Sequence, residues 1–319
     1  MDRILITGGA GFIGANLAAA LRKRPHTDVV VVDNYTSGDW RNLLHVDCEV
    51  RALDCNDARL LEEISDGGFT AVFHEAAITD TTVMDQRKMI EVNTNAFGDL
   101  LAATAVGRTR LIYASSAGTY GNSPAPNIVG AGEEAANVYG FSKLAMDRLA
   151  RRWYGRHPAP IVGLRYFNVY GPGEAHKNET QANKTASMML QLYLQIKAAN
   201  TPRLFKHGEQ MRDFVYIRDV IGANLAALAA PRSGVCNVGS GRARTFNDVV
   251  SILGAHLGRQ LQIDYIDNPF VFYQNHTEAD LSDTRNLLGW SPSWTLEAGY
   301  SEYLRLLDAG HKGPVECAT

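Results

Sequence analysis

The chain has 319 residues, 45% hydrophobic and 20% charged, with a formal net charge of −3. That length predicts a large domain with a smaller companion, and the weakly negative balance excludes a global pull toward nucleic acid or an anionic membrane surface. An anionic ligand would have to be held by local groups.

No stretch approaches the roughly 20 apolar residues of a membrane span, and the brief apolar start lacks the long apolar region and cleavage site of a signal peptide. Cys48, Cys55, Cys236 and Cys317 are scattered without metal-ligand spacing, and four cysteines in so long a chain make no disulfide framework. Reduced thiols, no metal site and a cytoplasmic location are the expectation.

In chain order, residues 3–7 read as a strand, 12–21 as a helix, and 28–33, with Val29 to Val32, as a second strand. Residues 71–74, 111–114 and 161–166 repeat the pattern. Nearly continuous apolar runs suit strands covered on both faces, and strands separated by helices imply right-handed crossovers. The predicted fold class is α/β, a doubly wound parallel sheet with a second, smaller domain. The regularity breaks after Gly171-Pro172-Gly173. A polar segment (174–184) and a helix-like run (186–198) follow, then short strands at 213–216 and 235–238, and mixed helices and loops from 245. Residues 1–173 plus about 213–239 are assigned to the sheet domain. Residues 174–212 plus about 240–319 are assigned to the companion, on the other side of a cleft.

The first strand runs into Thr7-Gly8-Gly9-Ala10-Gly11-Phe12-Ile13-Gly14. Gly9-x-Gly11-x-x-Gly14 and Gly8-x-x-Gly11-x-x-Gly14 both satisfy dinucleotide fingerprints. Small residues let the backbone approach a pyrophosphate, and the helix N-terminus offers N–H groups to its charge. The motif lies between a strand and a helix, which is its confirming context. Asp33 ends the second strand, where an acid can accept from both ribose hydroxyls of an adenosine and would repel a 2′-phosphate. Either NAD or NADP is expected, with NAD favoured.

Tyr139-x-x-x-Lys143 leads into a predicted helix at 144–154, and positions i and i+4 share one face. The ammonium, with an oxidised nicotinamide, should lower the tyrosine pKa. Such a tyrosine can take a hydroxyl proton while hydride leaves the same carbon. Upstream, Ser116 follows a strand and can donate to the same oxygen.

Together these motifs resemble the extended short-chain dehydrogenases acting on nucleotide sugars, Rossmann-type enzymes, over nearly the whole chain. Phe73-His74-Glu75-Ala76-Ala77, Arg165-Tyr166-Phe167-Asn168-Val169-Tyr170-Gly171-Pro172, Glu174-Ala175-His176-Lys177 and Arg212-Asp213-Phe214-Val215-Tyr216 are similar to the ADP-L-glycero-D-manno-heptose 6-epimerase family. That resemblance implies oxidation of C6 to a ketone, reorientation of the intermediate, and return of hydride to its other face. It implies that Phe12, Ile13, Asp33, Asn34, Glu75, Ala76, Ala77, Thr79, Asn93, Lys143 and Val169 line the cofactor. Asn168, Lys177, Arg212 and Tyr273 would meet the substrate, with Phe205 and Gly208 along the nucleotide and Lys177 as a second acid/base opposite Tyr139. The partner is a nucleotide sugar, with neither nucleic acid nor membrane, and homo-oligomers are expected as in such relatives. Basic residues for a 2′-phosphate lack obvious matches after Asp33, Asp80 replaces a hydroxyl residue, and the insert at 178–183 is longer than usual.

Blander readings stand beside these. Lys177 could be a solvated loop lysine or neutralise a phosphate, and Arg212 could pair with Asp213 or Asp219. His74 reads as a packed histidine, His176 as shaping the backbone, and Glu174 and Asp80 as polar loop residues. A nucleotide-sugar 4-epimerase, a dehydratase and a non-catalytic nucleotide sensor are the competing functions. Ala117-Gly118 stand where a dehydratase needs an acid/base.

Overall fold

Seven strands build the central sheet of the computed structural model, which describes residues 2–179, 185–268 and 274–315. They are β1 (Asp2–Thr7), β2 (Thr27–Asp33), β3 (Glu49–Ala52), β4 (Ala71–His74), β5 (Arg110–Ser116), β6 (Ile161–Tyr166) and, after three short strands placed elsewhere, β10 (Gly234–Val238). All pair in parallel in the order β3-β2-β1-β4-β5-β6-β10. The doubly wound fold is therefore the one expected. The chain leaves β1 toward β2 and β3, then returns to β4 on the other side of β1. The strand order reverses between β1 and β4, and the carboxyl ends of strands at such a switch point are where sheets of this kind bind ligands.

Each face of the sheet has its own core. On one, α1 (Phe12–Arg22) and α7 (Ile217–Leu228) pack over Ile4, Ile6, Val29, Val31, Phe73 and Leu164. On the other, α2 (Ala58–Ser65), α4 (Ala96–Val106) and α5 (Val138–Trp153) cover Leu5, Val30, Val72, Leu111 and Tyr113. Alternate residues of β1 and β2 thus serve opposite cores, which explains their unbroken apolar runs. β3 and α2 escape the sequence reading because β3 is an edge strand of exposed and half-buried residues. Its Glu49 and Arg51 pair with each other at 2.7 Å, and charges on an edge discourage pairing with another chain.

The remaining strands are β7 (Asn168–Tyr170), β8 (Arg203–Phe205), β9 (Met211–Tyr216), β11 (Ala243–Thr245) and β12 (Asp264–Ile266). β7 continues from β6 past Phe167, leaves the main sheet and pairs in parallel with β9, which pairs with β11 on its other side. β8 pairs with β12. The run 213–239, assigned as a whole to the sheet domain, therefore divides. Its α7 and β10 join the main sheet, whereas β9 belongs to the small sheet because Asn168 to Tyr170 offer it a free edge. The other helices are α3 (Gln86–Met89), α6 (Met188–Lys197), α8 (Phe246–His256), α9 (Ser282–Leu288) and α10 (Leu296–Asp308).

Candidate active site

In the turn after β1, Gly8 and Gly14 leave no room for a Cβ. Gly8 has φ +70°, and a Cβ there would lie 2.5 Å from the Ala76 nitrogen; a Cβ on Gly14 would lie 2.3 Å from the Gly8 carbonyl oxygen. Gly11 is the N-cap of α1 with no side-chain cap, and the first turn holds no acid, so the leading N–H groups are open to an external anion. Gly9 serves differently: a Cβ would meet Val31, so its smallness packs the turn on β2. Phe12 and Ile13 begin α1, and Ala76, which follows Glu75, touches the Gly8 turn.

Asp33 is buried rather than solvated. Its carboxylate accepts from the Ala10 N–H at 2.9 Å and the Tyr35 N–H at 2.8 Å; burial pushes its pKa up, and the two N–H groups oppose this. Asn34 donates to Asp54 at 2.7 Å. Arg41, the nearest cation downstream, is engaged by Asp39 and Glu179. Arg51 and Arg59 are paired with Glu63 and Asp57. The residues present fit a dinucleotide: a turn without room for Cβ, an uncapped helix start and a strand-end acid.

α5 starts at Val138, earlier than predicted, because Asn137 caps it by accepting from the Gly140 N–H at 2.8 Å. Tyr139 and Lys143 therefore both lie inside the helix, one turn apart. Lys143 is 1% exposed, and its Nζ donates to the Ala114 carbonyl of β5 at 2.8 Å. Burial pushes its pKa down to about 8, opposed by Glu75, Asp147 and Cys55. Ser116 accepts from the Gly118 N–H at 3.0 Å, and its hydroxyl hydrogen-bonds with Tyr139. The expected lowering of Tyr139 by Lys143 is not what the protein itself produces. Burial raises the phenol pKa, and Ser116 is the group that pulls it back. The physical reason is that Lys143 is spent on a backbone carbonyl and the partly buried phenol loses hydration.

Beneath this pair, Arg165 donates to Asp147 at 2.8 Å and to Glu133 at 2.7 Å, and Tyr113 donates to Asp147 at 2.8 Å. Asp147 lies one turn beyond Lys143 on α5, so the network ties that helix to β5 and β6. Glu75 accepts from the Tyr166 hydroxyl at 2.9 Å, and Tyr166 in turn meets Asn224 of α7. Burial pushes the Glu75 carboxyl up to about 7, against Tyr166 and Lys143. His74 is fully buried, bonded to Thr7 at 2.8 Å, and burial pushes it down to about 3. It is a packed histidine, as read. Asn93 is buried with its amide committed to the Ile78 backbone and to Ser142 at 3.0 Å. It braces the segment after β4 against α5. Thr79 is exposed at the end of that segment, and Val169 is half-buried on β7.

Across the cleft, a short turn (Ala175–Asn178) carries His176 and Lys177. The Lys177 ammonium lies 5.3 Å from the centre of the Phe12 ring. Lys177 is half-buried on this turn, where burial lowers its pKa and Glu174 opposes this. Asn42 donates to His176 at 3.1 Å and to the Ala10 carbonyl at 3.0 Å, wiring this turn to the glycine turn. Glu174 is 1% exposed, a correction to its reading as a polar loop residue. Neither proposed ion pair of Arg212 forms: Asp213 and Asp219 are filled by backbone N–H groups and serine hydroxyls. Arg212 is buried on β9, with its guanidinium 5.9 Å from the Phe246 ring centre. Asn168 is exposed at the start of β7, and Phe205 ends β8. Gly208 has φ +73°, and a Cβ there would strike Asn247 at 2.1 Å. Tyr273 lies outside the described residues.

Sequence reasoning missed Asp147, Asn42 and Asn16. Asn16 donates to the Phe12 and Pro172 carbonyls and accepts from the Val315 N–H, joining α1 to the turn before Glu174. An asparagine within an apolar helix was the available signal. No group of residues suited to a metal ion occurs among the described residues, and no described helix is long and apolar enough to cross a membrane.

Residues 4–239 match the model of the NAD dependent epimerase/dehydratase family. The chain is 37% identical, over 95% of its length and 98% of the other's, to the ADP-L-glycero-D-manno-heptose-6-epimerase of Thiobacillus denitrificans. It is similar to the crystal structure of the Helicobacter pylori ADP-L-glycero-D-manno-heptose-6-epimerase, with TM-score 0.89 and 45% identity over 97% of this chain and 96% of that one. It is also similar to a Bacillus cereus UDP-glucuronic acid 4-epimerase in complex with UDP-glucuronic acid and NAD, with TM-score 0.82 and 26% identity over 96% and 99%.

Proposed function

The chain belongs to the NAD dependent epimerase/dehydratase family, and from that premise we propose that it inverts C6 of an ADP-linked glycero-manno-heptose. The observation that carries the reading is that Tyr139 and the buried Lys143, one turn apart on α5, both engage the carboxyl end of β5, the phenol at Ser116 and the ammonium at the Ala114 carbonyl. Gly8, Gly11, Gly14, Asp33 and Asn34 would hold the dinucleotide, with Glu75, Ala76 and Ala77 along its path. When bound, it supplies a hydride acceptor that becomes the donor in the return step.

The protein's own groups handle the proton. The Tyr139 oxygen takes it from the substrate hydroxyl, and the Ser116 hydroxyl donates to the oxygen left behind. Lys143, fixed on the Ala114 carbonyl, holds α5 and its Tyr139 against β5. Inversion leaves the new hydroxyl pointing away from Tyr139, so a second donor is needed there. The half-buried Lys177 over Phe12 is the group we assign. Asn168 and Arg212 would hold the substrate, with Phe205 and Gly208 along its nucleotide. Elimination is disfavoured: Ala117 and Gly118, which directly follow Ser116, carry no acid that could protonate a leaving group.

NAD is the cofactor we favour over NADP, because Asp33 and Asp54 face that end of the cleft while Arg41, Arg51 and Arg59 are all paired to acids. A cytoplasmic location fits the free thiols of Cys48, Cys55 and Cys236. Homo-oligomers would cover Phe141 and Val92, exposed on α5 and the adjoining turn. The test is Lys177→Met with ADP-heptose, followed by NMR of the sugar. Loss of epimer with cofactor binding retained is expected; full turnover would refute the two-base reading.

A further inference from the structure

Glu174 is a nearly inaccessible carboxylate on the turn that precedes Lys177. Its two oxygens accept from the Ser187 N–H at 2.5 Å, the Ser187 hydroxyl at 2.6 Å and the Gly171 N–H at 3.2 Å. The Tyr303 hydroxyl of α10 engages it as well. Ser187 is the N-cap of α6, so one side chain joins the end of the β7 segment to the start of that helix. Lys177 is held between them: its N–H donates to the Glu174 carbonyl at 3.0 Å, and its carbonyl accepts from the Thr185 N–H at 3.3 Å. Burial pushes the Glu174 pKa up, and the Ser187 hydroxyl and N–H, the Lys177 charge and the Gly171 N–H oppose this, so the charged form depends on these donors and on the nearby cation.

We infer that Glu174 is a positioning residue for Lys177: it fixes the turn that presents the ammonium beside Phe12 and supplies the opposite charge that acts on it. The inference rests on the reading of Lys177 as the second acid/base. The titratable groups around Glu174 are Lys177 on its own turn and Tyr300 and Tyr303 of α10; His176, next to Lys177, is lowered by burial and by the Lys177 charge. Among these, Glu174 is the charge that sustains the ammonium against burial.

The experiment pairs Glu174→Gln with Glu174→Asp. Each is examined for kcat and KM on ADP-heptose across pH, and for acetic anhydride labelling of Lys177 across pH, read by mass spectrometry. For Glu174→Gln, kcat should fall about tenfold or more with KM nearly unchanged, and the labelling midpoint of Lys177 should move about one pH unit toward acid. Glu174→Asp keeps the charge and should restore most of that midpoint while kcat stays below wild type. A purely structural role would lower thermal stability without moving the labelling midpoint. An unmoved midpoint in a folded Glu174→Gln protein overturns the inference, and so does a moved midpoint in Glu174→Asp equal to that of Gln. If Glu174→Gln does not fold, Glu174→Asp decides: wild-type kcat would overturn the inference, and a reduced kcat with a near-normal midpoint would support it. Full turnover by Lys177→Met sinks the two-base reading itself. Loss of turnover by Lys177→Met beside a wild-type Glu174→Gln sinks only the present inference.

Discussion

The Lys143 ammonium on α5 reaches across to β5 and donates a 2.8 Å hydrogen bond to the Ala114 carbonyl. This bond locks the helix bearing Tyr139 to the strand bearing Ser116, so the three side chains are placed by one another and not by loops. It also explains why the chain by itself does not depress the Tyr139 pKa. The ammonium is committed to that carbonyl, and burial of the ring raises the phenol pKa with Ser116 as the group opposing it.

Removing the phenol should therefore remove the proton acceptor and little else. Tyr139→Phe is expected to lower kcat by about 10²–10⁴ while NAD binding, followed by protein fluorescence, stays near wild type. Ser116→Ala should cost about 10²–10³ through the lost donor. A Tyr139→Phe enzyme with near-normal kcat would contradict this placement of the proton.

Two left-handed glycines should respond differently to one methyl group. Gly258 has φ +65° with open space around it, so Gly258→Ala should cost about 1–2 kcal/mol for the backbone alone. Gly8→Ala adds a collision with the Ala76 backbone and should cost about 3 kcal/mol or more, with loss of NAD binding. Denaturant melts and NAD titration of the two variants make the comparison. Equal penalties would argue against the tight approach.

The Asp147–Arg165 pair is the buried electrostatic centre of the fold. Both side chains are inaccessible, at 2.7 Å from one another. Asp147→Ala would remove one of the two carboxylates on the buried guanidinium, leaving it Glu133, and would strand the Tyr113 hydroxyl; a loss of about 3–5 kcal/mol is expected by urea denaturation. The exposed helical pair Arg87–Glu91 is the control, with Glu91→Ala expected within about 0.5 kcal/mol of wild type.

Glu75 makes stability depend on pH in a stated direction. Its carboxyl titrates near 7 when folded, above the ordinary value of 4.5. The neutral form is the one the fold favours, so its contribution is complete below pH 4.5 and is lost as pH rises through 7. Glu75→Gln should remove that loss. The stability of the variant minus that of wild type should therefore rise by up to about 3 kcal/mol between about pH 5 and about pH 8. A difference that stays flat over this interval, measured by guanidinium denaturation, would show that the carboxyl is not held neutral.

Local chemistry that repeats along the chain was legible in the residues. Unbroken valine runs marked strands covered on both faces, the glycines after β1 marked a turn without room for side chains, and a tyrosine and lysine four apart marked one helical face. These signals depend on near neighbours in sequence. Only the folded arrangement decided that Lys143 would be spent on Ala114, that β9 would leave the main sheet, and that Glu174 would be buried as the anchor of a lysine-bearing turn. Each of those depends on groups from distant segments (Ala114, Tyr170, Ser187) competing for the same hydrogen bonds and space. A carboxylate's value is set by which donors surround it, and those donors are assembled only when the chain folds.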